Sequence, residues 1–305
     1  MKIAVNGRFL AAVQTGVQRF ALEITRRLLP GVALEAPVHH LRAGADVCLS
    51  LANAVPASGG PHAVVLHDSI VFDHPEWYGA RYGLWHRRVL LPAARRAAGV
   101  GTLSKDAAES LARLLGRPAQ DIVVISQGAS PLDAPAPDAA VAVMRRRLRI
   151  EGPYLLALGA GDPRKNVPFL EDVMARWPAS EGASPPALVV VGDASARVFA
   201  GAVPRRGPVQ PRVLRVGRVD DETLRALYTG AVAFCFPSLA EGFGRPPLEA
   251  LGCGAPVVAA PYGPAREVLR YAAEILPLET GAWLAALERL VREGCLLYTS
   301  PSPRD

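Results

Sequence analysis

The sequence predicts an α/β chain of two domains, each built on a parallel sheet with helices packed against it. Three observations carry that reading. Short apolar runs bounded by glycine and proline recur along the chain, and two of them, Ala231–Phe236 and Pro256–Ala260, flank a short helix to make a βαβ unit. The hydrophobic share is 50% and the mean hydropathy is +0.18, a composition that suits strands buried on both faces. A length of 305 residues accommodates two domains of ordinary size, each with its own core.

The first domain is expected over residues 1–130. Ile3–Val5 reads as its first strand and Val17–Leu29 as a helix with Val17, Phe20, Ala21, Ile24 and Leu28 on one face. Gly16, just before it, is either an ordinary helix-entry glycine or a place where backbone N–H groups meet a ligand. Strands follow at Val47–Leu49, Ala63–Leu66 and Val123–Ile125. Between the last two, Pro75–Ala98 interleaves Trp77, Tyr78, Tyr82 and Trp85 with Arg81, Arg87, Arg88, Arg95 and Arg96. Such a stretch reads as a helix packed on the sheet with arginines at its rim, or as one that lies on an anionic membrane. A proline-rich linker, Ser130–Pro137, opens a connecting segment over residues 131–150. The second domain is expected over residues 151–294, with strands at Tyr154–Leu158, Leu188–Val191, Val213–Val216 and Ala231–Phe236.

Composition narrows the function classes. The formal net charge is +6 and the pI about 9.4, which admits nucleic acid, anionic membrane or phosphate ligands. The run Arg145-Arg146-Arg147, with Arg149 beyond it, has no interleaved aromatics, so it reads as a solvated helix face and no nucleic-acid partner is expected. No apolar run reaches the ~18–20 residues of a membrane span, and Met1-Lys2 leads straight into a strand without a signal-peptide core. A cytoplasmic location is therefore expected. Cys48, Cys235, Cys253 and Cys295 show no zinc-ligand spacing and read as reduced thiols. The histidines lie between His39 and His86 with no i, i+4 pair, and no Asp-x-Asp triplet occurs, so neither a metal nor another cofactor is expected.

The candidate site starts where the apolar run Ala231–Phe236 ends. Pro237-Ser238-Leu239-Ala240-Glu241-Gly242-Phe243-Gly244-Arg245-Pro246-Pro247-Leu248-Glu249 sets two carboxylates eight positions apart around a glycine turn and a helix start, where Pro246 and Pro247 fit the first positions. N–H groups of Gly242, Phe243 and Gly244 would face an anion such as a diphosphate. Glu241 in the turn and Glu249 in the first helical turn would then accept hydrogen bonds from sugar and ribose hydroxyls. The plainer alternative is that Glu249 complements the helix dipole and Glu241 caps a turn. After Tyr154–Leu158, Asp162-Pro163-Arg164-Lys165-Asn166 places two cations at the carboxyl end of a strand, as a phosphate grip or as an ordinary surface pair. His67 ends the run Val64–Leu66 at such an edge, as a core histidine or a ligand contact, with Asp68 orienting it or pairing elsewhere.

Taken in order, Thr15-Gly16-Val17-Gln18-Arg19-Phe20, His67-Asp68, Val124-Ile125-Ser126-Gln127-Gly128, Asp162-Pro163-Arg164-Lys165-Asn166 and the Glu241-x7-Glu249 segment resemble the family 4 glycosyltransferases. The resemblance spans roughly residues 1 to 294. It implies the GT-B fold, two Rossmann-like domains with parallel sheets facing across a cleft, and retaining transfer by same-face attack from a nucleoside diphosphate sugar without metal. It implies that Glu241 contacts the transferred sugar and Glu249 the ribose. Arg164 and Lys165 would neutralise the leaving diphosphate, and Gly16, Gly242, Phe243 and Gly244 would line the donor. His67 would lie near sugar or acceptor, with Asp68 beside it. The Thr15–Arg19 opening resembles mannosyltransferase-like members of bacterial polysaccharide biosynthesis, whose acceptors are glycan or lipid-linked and bring the enzyme to the inner face of the membrane. A sugar-nucleotide 2-epimerase of the same fold and a non-catalytic nucleotide-binding protein are the competing readings.

Two departures accompany the resemblance. Val32–Pro61 is shorter than the family's corresponding region, and nothing after Trp283–Val291 matches the closing helices. Residues 295–305, Cys295–Asp305, read as a non-native tail, so a truncated chain with a weakly packed end and reduced activity is expected.

Overall fold

The computed structural model describes residues 2–12, 15–28, 45–56, 60–128, 133–178, 185–192, 199–200 and 212–299, with side chains as far as Glu293. Ser130, Pro131 and Leu132 of the expected linker lie outside the described residues. The chain divides into two compact units, Met1–Gly128 and Ala129–Asp305.

The first unit holds five parallel strands, β1 (Ile3–Val5), β2 (Val47–Ser50), β3 (His62–Val65), β4 (Gly99–Thr102) and β5 (Ile122–Val124), adjacent in chain order. Val64 and Leu66 meet Val100, Leu90, Ala94, Leu111 and Leu115 in one buried cluster, which seats the helices Leu91–Arg96 and Lys105–Leu115 on the sheet. The second of these starts where Ser104 Oγ accepts from the Ala107 N–H at 3.1 Å and stops at left-handed Gly116.

Two expectations for this unit change. The helix Gly16–Leu28 turns Phe20, Ala21 and Thr25 inward, while Leu28 is 54% exposed. Thr25 tolerates burial because its hydroxyl donates to the Ala21 carbonyl at 2.6 Å. The stretch expected as one helix over 75–98 is a 3₁₀ turn, Pro75–Trp77, followed by Ala80–Trp85, a π segment His86–Leu90 and Leu91–Arg96. The widened turn falls where Pro92 has no N–H to donate to the Arg88 carbonyl.

The second unit holds six parallel strands, β6 (Tyr154–Leu158), β7 (Ala187–Val191), β8 (Val213–Gly217), β9 (Ala233–Phe236), β10 (Val257–Ala259) and β11 (Glu274–Ile275). Their order is β11-β10-β9-β6-β7-β8. The chain therefore starts in the middle at β6, winds outward to β8, and returns to pair β9 with the other side of β6. That reversal between β6 and β9 is a topological switch point, where the loops leaving two adjacent strands diverge and open a crevice. Alternate strand residues feed two cores, which is why the strands read as continuous apolar runs. Leu156, Val189, Phe234 and Phe236 pack with Met144 and Tyr228 of the helices Asp138–Leu148 and Asp221–Thr229. Leu155, Val190 and Cys235 pack with Leu170, Trp283 and Leu287 of Val167–Ala175 and Thr280–Thr299. That last helix continues as backbone to Thr299, past the expected break at 294, because no glycine or proline intervenes between Gly294 and Pro301. The remainder of the tail, 300–305, is outside the described residues.

Candidate functional site

The loops that leave β6 and β9 meet at the switch point. Asp162 begins a 3₁₀ turn, Pro163–Lys165, by accepting from the Arg164 N–H at 3.0 Å. The same carboxylate takes the Arg164 guanidinium, with Nε to Oδ1 at 3.0 Å and Nη2 to Oδ2 at 2.6 Å. Lys165 runs back across Gly159, whose φ is +94° and where an added Cβ would collide with Lys165 Cγ, so the position has room for no side chain. The lysine Nζ reaches Glu241 Oε1 at 2.6 Å and lies 4.6 Å from the centre of the Phe236 ring. The two side chains are 14% and 10% exposed. A backbone bond from Leu239 N–H to the Arg164 carbonyl, 2.8 Å, fastens the loops together. The structure thus brings Arg164, Lys165 and Glu241 to one place, but both cations already hold a carboxylate.

Gly244 caps the helix Arg245–Gly252 in the left-handed region at φ +86°, and a Cβ there would collide with Tyr262 Oη. Gly242, Phe243 and Gly244 are buried. Tyr262 is 3% exposed, and its hydroxyl has no hydrogen-bond partner among the described residues. Burial, reinforced by the charge of Glu241, pushes that phenol further up, so it stays protonated. Glu249 is placed differently from the expectation: because Gly244 is the cap, Glu249 is the fifth helical residue and the first turn carries no acid. Its carboxylate is 7% exposed as a residue and accepts from the Tyr228 hydroxyl at 3.3 Å. Its other oxygen faces Arg245 Nε at 3.5 Å, and Arg245 Nη2 donates to Asp133 at 2.8 and 3.0 Å. A dipole-complementing role at the helix start is therefore excluded.

Gly16, His67 and Asp68 belong to the first unit. Gly16 is exposed at the start of its helix, with nothing within 4 Å of an added Cβ. His67 is 4% exposed and stands edge-on to Phe20 at 5.0 Å. Its Nε2 lies 3.0 Å from the Leu51 carbonyl, which only accepts, so Nε2 carries the proton and Nδ1 the lone pair. Burial holds its pKa below the usual value against the opposing pull of that bond and of Asp68, so the ring is neutral. Asp68 pairs elsewhere, with Oδ1 accepting from the Ile70 N–H at 3.0 Å.

Sequence reasoning missed Asp162, Asp133, Tyr228, Arg245 and Tyr262. Two left a signal: Asp162 precedes Pro163 as a turn-capping acid, and Arg245 stands four residues before Glu249 on one helix face. Among the described residues no three His, Cys, Asp or Glu side chains are grouped to hold a metal ion, and no helix is long and apolar enough to cross a membrane.

A parallel sheet of this order, with a reversal between β6 and β9, defines an α/β unit of the Rossmann-like class, and residues 152–293 match the family described as Glycosyl transferases group 1. The particular likenesses agree with that class. The chain is 29% identical over 194 residues to O-antigen chain mannosyltransferase B of Escherichia coli, covering 63% of this chain and 51% of that protein. It is 24% identical over 228 residues to O-antigen chain mannosyltransferase RfbU of Salmonella typhimurium, covering 74% and 60%. It thus spans between half and two thirds of the length of these curated relatives. Among solved structures, HepE of Anabaena in complex with UDP-glucose superposes with a TM-score of 0.65 at 21% identity, over 82% of this chain and 70% of that one. WaaG, a glycosyltransferase involved in lipopolysaccharide biosynthesis, gives 0.60 at 16% identity, over 93% and 77%. The chain has the α/β fold of two Rossmann-like domains seen in these structures.

Proposed function

We propose that the protein is a retaining glycosyltransferase that moves a sugar from a nucleoside diphosphate sugar to a hydroxyl of a glycan or lipid-linked acceptor. The observation that carries the reading is the meeting of Lys165 and Glu241, 76 positions apart, at the switch point beside the Gly244 helix start. The mannosyltransferase names of the relatives and the UDP-glucose held by HepE support it. In this reading the bond between the anomeric carbon and the diphosphate oxygen breaks and its electron pair leaves with the diphosphate. The acceptor oxygen bonds to that carbon from the same face, and its proton passes to the departing diphosphate. Arg164 and Lys165 offset the charge that grows on the leaving group, and fixed charges aimed in this way lower the barrier more than any other single device in such chemistry. Donor binding then draws Lys165 partly from Glu241, whose carboxylate turns to the sugar, while Glu249 holds the ribose. In the first unit, Gly16 admits a ligand close to a helix N-terminus and His67 offers the Nδ1 lone pair to a hydroxyl, with Asp68 fixing the turn beside it.

The acceptor side of the proposal includes an anionic membrane surface. No acid occurs from Trp77 to Lys105, and Arg81, Leu84, Arg87, Arg88 and Val89 are all exposed, with Leu84 at 56% and Val89 at 43%. The test is to incubate the chain with a panel of nucleoside diphosphate sugars, with EDTA present, and with saccharide or polyprenyl-linked acceptors. Transfer with retained anomeric configuration is the expected result. A sugar epimerised at C2 without acceptor would make it an isomerase, and nucleotide binding without any turnover a non-catalytic protein.

A further inference from the structure

We infer that Asp133 and Arg245 are positioning residues that set the Glu249 carboxylate for the donor's ribose. This rests on the reading of Glu249 given above and adds the device that aims it. A cation in the first turn of a helix works against the helix dipole, and arginine placed four residues before glutamate is the weaker order of that pair. Helix stability therefore does not account for Arg245. Its surroundings do: Nη2 is held between both oxygens of Asp133 at 2.8 and 3.0 Å, which turns Nε toward Glu249 Oε1 at 3.5 Å. The opposite oxygen, Oε2, takes the Tyr228 hydroxyl at 3.3 Å, from the neighbouring helix. One carboxylate is thus held from two sides, by Arg245, 17% exposed, and by the fully buried Tyr228, while Asp133, equally buried, holds Arg245.

Asp133 is itself held. The segment that carries it is fastened to the helix Asp221–Thr229 by Arg225, whose Nε donates to the Ala134 carbonyl and Nη2 to that of Pro135, each at 2.6 Å. The Ala136 N–H donates to Thr229 Oγ1 at 2.8 Å. A rigid strap therefore fixes Asp133, Asp133 fixes Arg245, and Arg245 with Tyr228 fixes Glu249. A carboxylate locked in one rotamer loses little freedom when it takes a diol, which is how a supporting shell raises affinity without touching the ligand.

The test is a double-mutant cycle on nucleotide affinity, using UDP and GDP as probes by calorimetry and the unliganded melting temperature as the control for folding. Asp133→Ala and Arg245→Leu should each weaken binding about tenfold, yet change it less than about twofold when Glu249 is already alanine, because groups acting through one another are not additive. Arg245→Lys should recover the melting temperature but not the affinity, since a point charge cannot serve both carboxylates. Arg225→Ala, which loosens the strap that holds Asp133, should weaken binding by a smaller factor, and that loss too should vanish when Glu249 is already alanine. Additive losses in the Glu249→Ala background would overturn the inference. Asp133→Asn, close in shape, serves if the alanine variant does not fold. No binding of either nucleotide by the unaltered chain, or normal affinity in Glu249→Ala alone, would instead remove the reading of Glu249.

Discussion

Replacing Lys165 by methionine keeps the stem that packs over Gly159 and removes only the charge, leaving Glu241 10% exposed beside an apolar neighbour. Fully buried pairs lose about 3–5 kcal/mol when one partner is removed, and the residual exposure of this pair lowers the expected loss to about 2–3 kcal/mol. Glu241→Gln leaves an ammonium only 14% exposed and should cost a similar amount. The double variant, Lys165→Met with Glu241→Gln, strands no charge, so its stability should fall short of the summed losses by about 1–3 kcal/mol. Turnover behaves oppositely, because both groups act on the donor: each single variant and the double variant should all be slower by ~10²-fold or more. Urea unfolding in a Trp77→Phe, Trp85→Phe background checks the first statement, since the remaining tryptophans, Trp177 and Trp283, both report the second unit. Sugar transfer measured in parallel checks the second. Additive stabilities would show that the two side chains do not depend on each other, and a double variant with restored turnover would show that the pair serves the fold and not the reaction.

Three further outcomes follow from single features. Gly16→Ala meets nothing within 4 Å and should raise the melting temperature slightly, by the ~0.5–1 kcal/mol that alanine gains over glycine in a helix, while lowering transfer if a ligand passes there. Unchanged turnover in a stabilised variant would free Gly16 of any ligand role. Tyr262→Phe removes a buried hydroxyl without a partner, so denaturation should show stability equal to or above that of the parent, and a loss of ~1 kcal/mol or more would reveal a hydrogen bond to that oxygen. His67 and His86 both have pKa values held below 6.5, chiefly by burial. As pH falls below 6.5 the unfolded chain takes up protons that the folded chain does not. Stability is therefore full above that pH and should fall by up to ~1.4 kcal/mol per unit per histidine beneath it. Replacing both by glutamine should flatten the slope between pH 6.5 and 5 in equilibrium unfolding, and an unaltered slope would contradict the assignment.

How far the sequence reaches is clearest residue by residue. Period, length and punctuation are local signals, and they placed β1 and β6 over their observed residues and the other expected strands within two residues at each end, because a strand buried on both faces must be apolar throughout; β4, with two glycines in four residues, and the two-residue β11 gave no such signal and were not foreseen. The same locality made Glu241, Glu249, Arg164 and Lys165 stand out, each tied to a turn or helix start that its own neighbours specify. Local rules failed where a distant group decided the outcome. The inward-facing Thr25 was missed for a nearer reason, because an apolar pattern does not show that its hydroxyl is satisfied by the Ala21 carbonyl once the helix exists. The ion pair of Lys165 with Glu241, the hold of Asp133 on Arg245 and the bond from Tyr228 to Glu249 join positions 76, 112 and 21 residues apart. Only the order of the sheet, β9 returning beside β6, brings such groups within hydrogen-bond reach. The chain's own sequence determined which elements form and which residues carry charge at their ends; the tertiary structure decided which charge each one meets, because electrostatic partners are chosen by distance in space and not by distance along the chain.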